Sequence, residues 1–159
     1  VYKRQGEGGA PSGPRDHVNA ILLGGTVLFP MVLGIAILVF PGSMDLSVVP
    51  GPWSWFFRGL YLAEAVSFGV GLVFLGAGRL VMPRRNVRPA LFTAAHLSVA
   101  WLLASWWPQD NLYRLAAKDD WPQQTLLVYV FNIPLMIAAV VVVLYLAALR
   151  EAEHARDPD

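Results

Sequence analysis

Residues Val18 to Phe40 read VNAILLGGTVLFPMVLGIAILVF, a run without one charged side chain. A helix rises 1.5 Å per residue, so about 20 mostly apolar residues cross a hydrocarbon layer about 30 Å thick. This run is long enough to do so. Three further apolar stretches follow, at about 57–82, 90–107 and 125–149. The second carries charge only at Arg58, Glu64 and Arg79, and its two arginines lie near enough to the ends to snorkel into headgroups. The spacing therefore predicts an all-α integral membrane protein, a four-helix transmembrane bundle running up-down-up-down. A cleaved signal peptide is the rival reading of the first stretch, but its apolar run exceeds the usual ~7–15 residues of such a leader.

Composition agrees with that class. Of 159 residues, 56% are hydrophobic and 14% charged, with a mean hydropathy of +0.51; soluble domains average about 25% charged. The absence of cysteine excludes disulfide frameworks, thiolate metal sites and cysteine nucleophiles. A net charge of +1 supplies no field for nucleic acid. Residues 1–16, Gly/Pro-rich and starting on Val, read as a disordered cytoplasmic lead, truncated or non-native at its start. Residues 17–149 read as one four-span domain and 150–159 as a cytoplasmic tail.

Orientation follows from the basic residues, which are retained on the cytoplasmic side. With both termini inside, Lys3, Arg4, Arg15, Arg79, Arg84, Arg85, Arg88, Arg150 and Arg156 are cytoplasmic, against Arg58, Arg114 and Lys118 outside. Trp53, Trp55, Trp106, Trp107 and Trp121 then gather at the outer ends of the spans, as an anchoring belt or an aromatic partner surface. The Pro/Gly-rich stretch 41–55 predicts an irregular outer loop. In the segment 108–124, Asp110 is expected to cap a short interfacial helix through Lys118.

Small residues four apart let helices approach closely in lipid. Ala63, Ser67 and Gly71 on one stripe, with Ala65 and Gly69 on another, mark the second span as central, and Gly24 and Gly25 offer a match in the first. Pro30 and Pro134 are expected to bend their helices.

An ionisable side chain inside a span is expensive and marks a site by default. Glu64 lies seven residues inside Phe57, about 10 Å deep, level with Asn132 in the fourth span and with Trp101 in the third. An outward-opening polar pocket is therefore expected around Glu64 and Asn132, with Trp101, Tyr129 and Ser105 contributing; the plain alternative is a carboxyl used as glue between helices. His96 lies on the other side of the midplane, where Ser67, Thr93 or Ser98 offer partners. Its depth matches no second histidine for haem ligation. At the outer mouth, Arg58, Asp110 and Arg114 are candidate contacts: Arg114 reaches Asp110 at i,i+4, or the arginines meet a headgroup phosphate.

Phosphate-binding glycine loops, HExxH, GxSxG and metal-spaced Asp/His clusters are all missing from the sequence. No cofactor or metal is expected, and the reading leans away from an enzyme. The residues point to a small non-enzymatic accessory or ligand/lipid-binding protein of the bacterial inner membrane. Its partners would be membrane lipids and a further copy or another membrane subunit, without nucleic acid. A transport or channel unit working as an oligomer is the second reading. A membrane-embedded enzyme or quinone-reactive redox component using Glu64 and His96 is the third.

Overall fold

A computed structural model describes residues 13–43, 45–47, 49–116 and 119–155. Lys3, Arg4, Lys118 and Arg156, and all of the predicted lead before Gly13, lie outside these. The described residues form helices and connecting turns, with no strand.

Helix α1 (Pro14–Val39) starts four residues before the apolar run. Proline suits the first turn, where its missing N–H costs nothing, and the Asp16 carboxylate accepts the Gly13 N–H at 2.8 Å. Pro14 to Asp16, assigned to the lead from sequence, are thus helical. The same chemistry moves the start of α2 (Gly51–Ala77) six residues upstream of Phe57, with Pro52 in its first turn. A 3₁₀ turn, Gly78–Leu80, ends it.

The stretch predicted as span three divides at Ser105 into α3 (Pro89–Ala104) and α4 (Trp106–Leu115), bent by 44°. Pro108 accounts for the break, since it cannot donate to the Ala104 carbonyl and its ring crowds that oxygen. Asp110 is therefore mid-helix rather than a cap. The capping aspartate is Asp120, whose side chain accepts the Gln123 N–H at 3.0 Å and opens α5 (Trp121–Leu127). A π-helical turn, Val128–Asn132, leads into α6 (Ile133–His154). It directly precedes Pro134, where a widened turn absorbs the donor that proline lacks. Helix α6 also takes in Arg150 to His154, the start of the predicted tail.

Three of these elements are long and apolar enough to cross a membrane: Pro14–Val39, Gly51–Leu80 and Trp121–His154; α3 with α4 makes a fourth if the bent pair counts as one span.

The long helices pack in a row, α1 on α2, α2 on α3 and α3 on α6, with α4 laid across α2. Glycine makes the first two joints possible. A Cβ on Gly69 would stand 2.5 Å from the Gly25 carbonyl oxygen, and one on Gly71 would stand 2.9 Å from the Ala104 backbone nitrogen. The stripes read from sequence thus face the neighbouring helices. Beneath the α4 crossing lies a core of Val32, Ala36, Tyr61, Ala65 and Trp107. A second core at the opposite end joins Val87, Phe92, Ala95 and Tyr145, where the Tyr145 hydroxyl donates to the Pro83 carbonyl and Arg85 pairs with Glu153 at 3.0 Å.

Candidate functional site

Because the helices stand in a row, α2 and α6 are parted by α3, and an open groove of about 590 Å³ remains between them. Phe68, Gly71, Leu72 and Leu75 of α2 form one wall, and Pro134, Ile137 and Ala138 of α6 the other. The floor comes from Leu97, Ser98, Ala100, Trp101 and Ala104. A volume of this size falls within the ~300–1,000 Å³ usual for small-molecule sites.

Ser105 and Pro108 carry the lining up to the α3–α4 bend, where the groove meets its polar end. Trp101, Ser105 and Gln109 follow one another at four-residue spacing through the bend. The Trp101 indole N–H, the Ser105 hydroxyl and the Gln109 side-chain oxygen are each buried without a hydrogen-bond partner. Glu64 stands one turn before Phe68 on the groove-lining stripe of α2, and its Oε2 is likewise buried and unpartnered. Most buried side-chain polar atoms are paired, because desolvation without replacement costs about 1–3 kcal/mol. Two of these residues, Trp101 and Ser105, line the groove at this end, and Gln109 and Glu64 each stand one turn along from a lining residue.

The predicted Glu64–Asn132 pair is replaced by separate neighbours for each, both on α4. Asn132 accepts on Oδ1 from the Gln109 amide at 2.6 Å. Glu64 instead stands near Asp110 and Arg114 of α4. Arg114 in turn donates from Nε to Asp110 Oδ2, the expected i,i+4 pair. Helix α4, laid across α2, thus stands beside both Glu64 and Asn132.

Trp101 stacks on Phe131, with centroids 6.0 Å apart and planes 18° apart, which sets the indole against the groove. Tyr129 is 62% exposed and takes no part: the π turn carries it to the outside of the helix. Arg58 is exposed and lies over the Trp55 ring. His96 is buried beside Phe74 and pairs through Nε2 with the Phe74 carbonyl at 3.0 Å. Ser67, its suggested partner, donates to the Leu103 carbonyl at 2.7 Å instead. His96 and Glu64 thus belong to separate hydrogen-bonded groups.

Sequence reading assigned no role to Gln109, Asn111 or Tyr61. Asn111 is wholly buried, donating to the Trp107 carbonyl at 2.7 Å and accepting from the Tyr61 hydroxyl at 3.3 Å, which ties α4 to α2. The available signal is the polar run Gln109, Asp110, Asn111 directly after Trp107-Pro108, whose amides can tie a short amphipathic turn to its neighbours. Among the described residues no cluster of His, Asp or Glu could hold a metal ion. No known protein family, curated protein sequence or solved structure matches the chain.

Proposed function

We propose that this chain is a small multi-pass protein of a bacterial inner membrane that holds a lipid-like amphiphile. In this reading the chain crosses four times, with α3 and α4 as one bent span, and both termini are cytoplasmic. Contacts between successive helices support the up-and-down order: Gly25 with Gly69 against Ala36 with Tyr61, and Trp101 with Phe131 against Phe92 with Tyr145, run in opposite chain directions. The excess of basic residues on the Arg84–Arg88 side supports the orientation.

The observation that carries the ligand reading is the apolar groove that ends in four unpartnered buried polar atoms. An acyl or isoprenoid chain lies along Leu72, Leu75, Leu97 and Ile137. Its polar end meets the Trp101 and Ser105 donors and the Gln109 and Glu64 oxygens. The groove opens sideways between α2 and α6, so the ligand enters from the bilayer without crossing water. No bond is made or broken in this role.

The test is native mass spectrometry and organic extraction of the protein purified in mild detergent. The wild type is expected to retain a bound amphiphile, and Ser98→Trp, which fills the groove from its half-buried floor, to lose it while keeping its helicity. An identical complement in both proteins would overturn the reading. Topology is tested separately. The chain has no cysteine, so single substitutions Ser54→Cys and Glu153→Cys give clean labelling, with an impermeant maleimide expected to reach only the former from outside intact cells.

A further inference from the structure

A second cleft, of about 290 Å³, lies on an adjacent face of α2, lined by Leu46, Arg58, Tyr61, Leu62 and Arg114. On the helix, Arg58, Tyr61 and Leu62 lie on a face adjacent to the one that carries Glu64 and Phe68, with Tyr61 one turn from Glu64. Two guanidinium groups from different elements, α2 and α4, thus share one small concavity, closed by the loop that carries Leu46.

Both arginines are held in place by aromatic faces. The Arg58 guanidinium sits 5.5 Å from the centre of the Trp55 ring. That of Arg114 sits 5.9 Å and 5.8 Å from the rings of Phe57 and Tyr61. Such contacts fix a guanidinium's position and leave its in-plane N–H groups free to donate.

The donors of the two arginines are only partly used. Among the described residues Arg58 makes no ion pair. Arg114 spends its Nε on Asp110, and its two terminal nitrogens carry four more donors. Asp45, next to Leu46, turns its carboxylate into its own loop, where it accepts the Ser47 N–H at 2.9 Å. The cleft is therefore marked by converging donors from two guanidinium groups, with Asp110 and Glu64 on the far side of Arg114. Planar, forked donors of this kind pair bidentately with oxyanions, and two of them from different elements can grip separate oxygens of one tetrahedral phosphate.

We propose that the Arg58–Arg114 cleft is a binding site for a phosphate group. Lipid headgroups and free phosphate share this chemistry. The cleft shares none of the groove's lining residues.

The whole chain in dodecyl maltoside, a detergent with neither charge nor phosphate, is titrated separately with inorganic phosphate and with short-chain phosphatidylglycerol, and thermal unfolding is followed by circular dichroism. The unfolding temperature is expected to rise with added ligand. Arg58→Gln should weaken the apparent affinity about tenfold or more, as expected for loss of a charge-assisted contact. Arg79→Gln, in the 3₁₀ turn that follows α2 at its far end, should leave it unchanged. A response to phosphatidylglycerol alone identifies a headgroup site and a response to phosphate alone a soluble ligand; either, or both, supports the assignment when Arg58→Gln weakens it as expected. An equal rise with sodium chloride at matched ionic strength overturns it, as does no response to either ligand or a response untouched by Arg58→Gln. Arg58 is exposed, so its variants should fold, and Arg58→Lys, which keeps the charge but loses the fork, should bind with intermediate affinity.

Discussion

The backbone carbonyl of Gly25 in α1 lies against Gly69 in α2, so that a Cβ on Gly69 would stand 2.5 Å from the carbonyl oxygen. Backbone meets backbone here, and neither side can turn away as a flexible side chain would. Gly25→Ala and Gly69→Ala are each expected to cost about 1–3 kcal/mol, the usual penalty for overpacking. Gly34, on the same helix as Gly25, has nothing within 4 Å of a Cβ. Gly34→Ala should be neutral or stabilise by up to about 1 kcal/mol through helix propensity. Unfolding in mixed micelles, followed by circular dichroism, separates the two sites; equal effects at Gly34 and Gly69 would refute the close crossing.

The Gln109–Asn132 bond predicts strong coupling. Gln109 already has a buried, unpartnered oxygen, so Asn132→Leu leaves both ends of its amide without a protein partner. The expected cost is about 1–3 kcal/mol. Gln109→Met with Asn132→Leu removes both members and should cost less than the sum of the single changes, a coupling of about 0.5–3 kcal/mol in a double-mutant cycle. Strict additivity would mean that the two side chains do not meet.

Spacing along each helix is legible in the sequence, and the direction each side chain takes around the helix is not. Counting residues from the ends of apolar runs places Glu64, Trp101 and Asn132 at one level, because rise per residue is nearly constant. Which side chains then face each other depends on helix rotation and order, and small-residue stripes constrain these only where backbones touch, as at Gly69 and Gly71. Helix starts were read too late at Pro14 and Pro52, because a proline at the edge of a polar segment signals both a loop and a first turn. The bend at Ser105 was hidden for a related reason: Trp106 and Trp107 continue the apolar run without a gap, while Pro108, one turn on, ends the α3 ladder. That bend carries Gln109, Asp110 and Arg114 back over α2 and makes the site.

Loop electrostatics offer a check outside the long helices. The Ser47 backbone N–H, aided by its hydroxyl, holds the Asp45 carboxyl below the usual aspartate range. A folded-state value below the unfolded one contributes stability above the unfolded pKa and loses it as pH falls through the folded value. Asp45 is fully solvated, so the effect is read best by carboxyl NMR titration. Ser47→Ala keeps the backbone donor and should return the titration only part of the way toward normal. A wild-type Asp45 with an ordinary titration would contradict the turn geometry.

Adjacent tryptophans provide the sharpest contrast in the fold. Trp107 is 3% exposed, packed between Phe40 and Phe68 with ring centroids at 5.5 Å and 4.8 Å, whereas Trp106 is 49% exposed. Sequence places both in an interfacial belt, and the bend puts one of them into the core. Trp107→Ala should cost about 3–5 kcal/mol, and Trp106→Ala about 1 kcal/mol or less. Because the Trp107 indole N–H is buried without a partner, Trp107→Phe gives up some packing but also removes an unpaired donor, and should fall between wild type and Trp107→Ala. The two tryptophans should also differ in what they release. Trp107 pins α4 across α2, so its loss should speed amide exchange along Trp106–Leu115 and loosen the Asp110–Arg114 and Gln109–Asn132 contacts with it. Trp106→Ala should leave those exchange rates unchanged; equal exchange in the two variants would show that α4 is held by its amides alone.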